Sequence, residues 1–407
     1  MLRFRQFAIA CAIAMLAIAG LIAQAGSAEP HRLPRTLADT RPAGAGIVEP
    51  AFAVEFVAAT WPGEEAPGAA VRFRHGGAWG GWVAFAEDGA QAPGQFSTNL
   101  VTADRADAYQ VRGVPAGARV SAINTTDGPL ETVGTKPAHS AGAFANACRS
   151  RADWGADESL MTWAPAFYPT QVLTLHHTVT SNHDTDPAAT VRAIYFQHAV
   201  TNGWGDIGYQ YIVDQQGVVY EGRYSGHTSR SCLYGGGDGS DFAHTLDGSD
   251  YGVTGAHVSG QNSGNLGIAL LGTYTSVAPP GAQRSSVVDV LARLATRHGI
   301  DPLQMSYHFV NPVSGATATV PAISGHRDWM ATACPGDTFY ADLPNVRTDV
   351  AASMSGGGTT TTTSTSTTTT STSTTSTTIK RGKGGSGGPK GKPWLRLGAP
   401  SFGTERA

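Results

Sequence analysis

The chain has 407 residues, a net charge of −3 and only 14% charged residues. That length exceeds one ordinary domain and implies about two or three. The near-neutral balance gives no case for nucleic acid or an acidic polymer as a partner of the whole chain.

Arg3 and Arg5 precede an apolar run from Phe7 to Ile22, and Gly26, Ser27 and Ala28 form a small-residue cleavage site. Residues 1–28 therefore read as an export signal. The run is short for a membrane span of ~20 residues. Cys11 lies inside it rather than after it, which argues against a lipoprotein anchor. A secreted protein, extracellular and associated with the cell wall, is expected, and disulfides are then allowed.

Residues 29–49, rich in Pro, Ala and Gly, read as a flexible lead-in. From 50 to 135, short alternating stretches such as Val71–Arg74 are separated by Gly and Pro turns. They predict a small all-β, sandwich-like accessory domain. Its Trp61, Trp79 and Trp82 suit either a small β core, the favoured reading, or a carbohydrate platform.

After a short linker, residues 148–352 alternate strand and helix. Strands are expected at Gln171–His176, Tyr209–Val213, Val218–Tyr220 and Leu266–Leu271, the last near-continuously apolar and so central. Helices are expected at Pro187–Val200, with Pro187 in the first turn, at Ala282–His298, and at about Asp337–Val350. The fold class is α/β, a mixed central β-sheet flanked by helices. Between Glu221 and His257 lies a Gly- and Asp-rich insertion. Its Gly236–Asp241 stretch fits one turn of a calcium-binding repeat, with a solvated loop as the default because such repeats work by stacking. Residues 353–378 form a Ser/Thr-rich linker, and residues 379–407 a basic disordered tail. The tail suits an anionic surface such as wall polyanions, or simply a solubilising end.

The chemistry concentrates in two stretches. The Val172–Leu175 run ends in His176, His177 and Thr178, and Gly325–Asp328 is followed by Cys334, eight residues after His326. Two histidines and one cysteine with an open fourth position is how a catalytic zinc is held. The ligands must be neutral imidazole and thiolate. Once the signal is removed, Cys148, Cys232 and Cys334 remain. A Cys148–Cys232 pair would leave Cys334 as the thiol; either other pairing would destroy the site.

The stretch from about 150 to 350 resembles the peptidoglycan recognition protein / type 2 N-acetylmuramoyl-L-alanine amidase family. The resemblance rests on Arg151–Gly155, Leu175–Thr178, Gly203–Tyr211, Val219–Arg223, Gly255–His257, Asn265–Ile268 and Gly325–Gly336, all in order. It implies Zn²⁺ held by His176, His326 and Cys334. It also implies that Tyr209 sits over the metal to position or deprotonate the attacking water, and that Thr332 donates a hydrogen bond to the developing oxyanion. His257 and His177 are read as substrate-side residues, with packing or ligand support as the other reading; Trp204 and Asn265 are read as fold residues. His183, His198 and His227 carry no motif support. The implied partner is peptidoglycan, and a monomer is expected. Relatives that only bind peptidoglycan typically lose the cysteine ligand, which this chain keeps. The long 223–257 insertion and the missing short-range disulfide depart from the family pattern and leave Cys148–Cys232 as the pairing by default. The β domain resembles the accessory domain that precedes such amidases in secreted actinobacterial cell-wall proteins.

Overall fold

The computed structural model describes residues 30–44, 46–88, 94–135, 148–225 and 251–355. The export signal, His227, Cys232 and its pairing with Cys148, the Gly236–Asp241 loop, the Ser/Thr run and the basic tail lie outside them.

The lead-in corrects the expectation of flexibility. Pro30–Pro34 pairs antiparallel with Leu130–Thr135, and Leu37–Pro42 pairs with Arg119–Asn124. The reason is edge completion: an open strand edge offers unpaired N–H and C=O groups, and this stretch fills it. Leu37–Pro42, Arg119–Asn124, Val54–Pro62 and Gln95–Ser97 form one sheet, with Val101–Ala106 also on Val54–Pro62. A second sheet centres on Ala70–His75. Val57, Ala59, Trp61, Val71, Phe73 and Tyr109 fill the space between them. A bulge between Val54 and Phe56 resets the alternation. Trp61 is the core tryptophan, stacked on Phe96 at 4.9 Å. Trp79 and Trp82 instead clasp the Arg72 guanidinium at 4.7 and 4.8 Å, with Arg112 at 4.4 Å from Trp82.

The α/β half has a six-stranded sheet in the order Cys148–Arg149, Val219–Glu221, Tyr211–Val213, Asn265–Leu270, Val172–His177 and Ile323–Gly325. All pairings are parallel except that of Tyr211–Val213 with Val219–Glu221. Side chains alternate across it. Leu173, Leu175, Ile268 and Leu270 face the helices Gly281–His298 and Asp337–Ser355. Ile212 and Ala269 face the helix Pro187–Phe196. That helix starts on an Asp186 side chain accepting from the Ala189 N–H, with Pro187 in its first turn. It runs on through a wider π-type turn at Gln197–Thr201.

Phe56, Ala58, Leu100 and Ile123 of the β region belong to the same apolar cluster as this helix. The Val54–Pro62 strand is consequently buried on both faces until Pro62. The two halves thus share a core.

The loop Gly203–Tyr209 is held by buried charge. Arg151, fully buried, donates to Asp206 at 3.0 Å, Glu158 at 2.8 Å and the Gly222 carbonyl at 2.5 Å. Arg223, also fully buried, donates to the carbonyls of Ile207 and Thr254. Replacing Arg151 with Ala strands the buried Asp206 carboxylate without its cation, so Arg151→Ala should cost about 3–5 kcal/mol. Urea denaturation of the full chain measures this; a loss below about 1 kcal/mol, the scale of a surface change, would mean the pair contributes nothing specific.

Candidate metal centre

Consecutive residues of a strand point to opposite faces, and this decides which histidine of the pair enters the site. His176 is fully buried on the face toward the Pro187–Phe196 helix. His177 turns to the other face, where its Nδ1 accepts the Tyr274 N–H at 3.1 Å. Gly325 pairs with Leu175 on the neighbouring strand, so His326 emerges beside His176, with ring centroids 4.6 Å apart. Cys334 arrives from the following loop, its Sγ 3.6 Å from His176 Nδ1. The ligating atoms of His176, His326 and Cys334 lie within 4.8 Å of one another. Cys334 is a free thiol, so neither pairing that would destroy the site has formed.

A hydrogen-bonded chain sets the His176 tautomer. The Asn265 carbonyl accepts from His257 Nε2 at 3.2 Å, so that nitrogen carries the proton. Burial, opposed by this bond, pulls His257 down to about 4, so its Nδ1 is bare. Nδ1 lies 3.0 Å from His176 Nε2 and accepts its proton. His176 Nδ1 is left with its lone pair toward Cys334, the arrangement a metal-binding imidazole needs. Gly267 makes room for this chain: a Cβ there would meet the His257 ring at 2.6–2.8 Å. His257 is fully buried, with His176 and the Asn265 carbonyl on its two ring nitrogens. His177 packs on the other face of the strand. It is 2% exposed, and its main-chain N–H reaches Cys334 Sγ at 3.4 Å. Burial pushes His177 down to about 4, so it packs as a neutral ring.

Tyr209 is delivered by the Gly203–Tyr209 loop, its ring 5.2 Å from that of His176. Its hydroxyl is buried and has no hydrogen-bond partner among the described residues. Burial first, then the charges of Asp88 and Cys334, hold the phenol well above its usual range. The Thr332 hydroxyl accepts the Cys334 N–H at 3.2 Å and donates its one proton to Glu87, from the β region, at 3.1 Å. Two further residues carried no sequence signal: Asp88, 5% exposed, and His198, which meet at 3.0 Å. The contact spans 110 positions.

The donor set fits a cation that accepts soft and borderline ligands. Two imidazoles and one sulfur converge, and burial raises the Cys334 thiol far above its usual range. A thiol so buried ionises as a ligand only beside a positive charge, and the orphaned Tyr209 hydroxyl faces the same place.

Comparison with known proteins agrees with this geometry. Residues 166–337 match the family model described as N-acetylmuramoyl-L-alanine amidase. The pig N-acetylmuramoyl-L-alanine amidase is 32% identical over 198 residues, 48% of this chain and 26% of that protein. The human one is 32% identical over 176 residues, 42% of this chain and 23% of that protein. The chain thus spans about a quarter of the length of these relatives. Peptidoglycan-recognition protein SC2 of Drosophila simulans is 26% identical over 197 residues, 48% of this chain and 83% of that protein. The solved structure of wild-type Drosophila PGRP-LB aligns over 48% of this chain and 91% of its own at 22% identity, with a TM-score of 0.34. The α/β half of this chain is thus similar to N-acetylmuramoyl-L-alanine amidases and to a peptidoglycan-recognition protein.

The buried histidines generate a pH prediction. Both have folded pKa values of about 4 against the usual 6.5. Between these values the unfolded chain binds more protons than the folded one, so stability rises with pH across the window. Metal-free protein should be at full strength above about 6.5 and weaken as pH falls toward 4, by on the order of 3 kcal/mol for each histidine. Denaturant titrations at pH 7, 5.5 and 4.5 would show it; a flat profile would mean one or both rings are solvated.

Proposed function

We propose that the chain is a zinc-dependent N-acetylmuramoyl-L-alanine amidase, cutting the amide between the lactyl group of N-acetylmuramic acid and the L-alanine of peptidoglycan stem peptides. The observation that carries the reading is the convergence of His176, His326 and a free Cys334 within 4.8 Å, beside the unpartnered Tyr209 hydroxyl. His176, His326 and Cys334 would hold Zn²⁺, which when bound polarises a carbonyl and acidifies water. His257 keeps the His176 lone pair aimed at the ion. The main-chain N–H of His177 steadies the Cys334 sulfur. Tyr209 is the donor left for the scissile carbonyl oxygen, since the Thr332 proton is committed to Glu87. A protonated phenol in a dry pocket strengthens its hydrogen bond as charge grows on that oxygen. Peptidoglycan as partner rests on the family and on relatives named for its recognition.

A second reading has one observation in its favour. The three donor residues are at most 2% exposed, which suits a chain that holds peptidoglycan without cutting it. Mass spectrometry of digested peptidoglycan separates the two. Free stem peptides beginning at L-alanine, lost with chelator and restored by zinc, establish the amidase; intact muropeptides with the protein pelleting on the wall establish the binder. Export of the chain through its first 28 residues belongs to the same proposal, and N-terminal sequencing of the product tests it.

His326→Ala and Cys334→Ala should each abolish both zinc retention and turnover, and near-normal activity in either would overturn the ligand set. Tyr209→Phe should lower kcat by about 100- to 1,000-fold, the scale of one lost oxyanion donor, with zinc content unchanged; loss of zinc there would make its role structural.

A further inference from the structure

The β region does more than flank the α/β half. Its segment Ala86–Asp88 reaches the metal centre and is held stiffly in doing so. The Asp88 N–H donates to the Ser97 carbonyl at 2.9 Å, the Asn99 N–H to the Ala86 carbonyl at 2.8 Å, and the Ala86 N–H to Asn99 Oδ1 at 2.9 Å. The next residues grip the α/β half as well. The Thr98 carbonyl accepts from Gln197 Nε2 at 2.5 Å, and Asn99 Nδ2 donates to the Val179 carbonyl at 3.2 Å, just past the His176–Thr178 motif. Val179 has a φ of 54°, a conformation a β-branched residue adopts only under constraint.

Two polar chains run inward from this segment. In the first, Glu87 Oε2 accepts from the Thr332 hydroxyl, and that oxygen accepts from the Cys334 N–H. A hydroxyl whose proton is drawn to a carboxylate is a better acceptor, so each bond strengthens the other. The Cys334 main chain, and with it the direction of its sulfur, is set from Glu87. In the second, the Gly208 N–H donates to His198 Nδ1 at 3.0 Å, so His198 Nε2 carries the proton and donates it to Asp88 at 3.0 Å. The His198 ring lies 5.6 Å from that of Tyr209, the residue after Gly208. Gly208 has no room for a side chain, since a Cβ would lie 2.5 Å from the Ala256 carbonyl oxygen.

We propose that Glu87 and Asp88 are positioning residues of the metal centre, Glu87 for the Cys334 ligand through Thr332 and Asp88 for Tyr209 through His198. The β region is then a part of the catalytic unit and not an independent wall-binding module. This rests on the metal reading of His176, His326 and Cys334.

The test is zinc affinity of the full chain, by competition against a chromophoric chelator, in wild type, Glu87→Ala, Thr332→Val and the double variant. Groups that hold a metal ligand in place typically contribute 10- to 100-fold in affinity. Glu87→Ala and Thr332→Val should each weaken zinc by about that factor. The double variant should be no worse than the weaker single, because both cut the same chain. Glu87→Gln, which keeps shape and an acceptor, should fall between and serves if Glu87→Ala does not fold. Zinc affinity within twofold of wild type in Glu87→Ala, or simply additive effects in the double variant, would overturn the assignment. Wild type that binds no zinc at all would instead sink the metal reading itself. Asp88→Asn should lower kcat for peptidoglycan fragments with KM and zinc affinity unchanged; loss of zinc in it would overturn its link to Tyr209.

Discussion

The alternation of side chains along Val172–His177 is the constraint on which the rest depends. A strand buried on both faces must send its residues to two different environments. Leu173, Leu175 and His177 go to the side of the two C-terminal helices, whereas Thr174 and His176 go to the side where His326, Cys334 and Tyr209 converge. Slipping this strand by one residue would put His177 in the centre and His176 against Tyr274. The parallel registers with Asn265–Leu270 and Ile323–Gly325 prevent the slip and bring His326 alongside.

Polar groups this deep persist only when satisfied. The site meets that demand by chains of hydrogen bonds that end on main-chain atoms. His176 leans on His257, which ends on the Asn265 carbonyl. The Tyr209 loop leans on Asp206, whose two oxygens are taken by Arg151 and the N–H groups of Ile207 and Tyr224. Among the described residues the Tyr209 hydroxyl has no hydrogen-bond partner.

The same logic explains why the β region cannot be read as a detachable module. Its inner sheet buries Phe56, Ala58 and Ile123 against the Pro187–Phe196 helix, and its polar edge completes Thr332 and His198. Removing it would expose apolar surface and strip the part-buried Thr332 and the buried His198 of their partners at once.

Much of this was legible in the residues. Hydrophobic periodicity and caps gave the strands and helices of the α/β half, because those signals are local. The ligand residues were legible as chemistry, since few side chains bind metals and their motifs are short. Local signals failed where a contact joins distant parts of the chain. Pro30–Pro42 carries a loop-like composition, and only the open edges at Leu130–Thr135 and Arg119–Asn124 make it strands. Only packing places His176 and Asn265 on the two nitrogens of His257. The Glu87 partner of Thr332 lies 245 residues away in sequence, and only folding brings it in. The sequence by itself determined which atoms could bind a metal. Tertiary structure alone decided which of them face one another and who holds them, because hydrogen bonds between buried groups are chosen by proximity, which pattern along the chain does not encode.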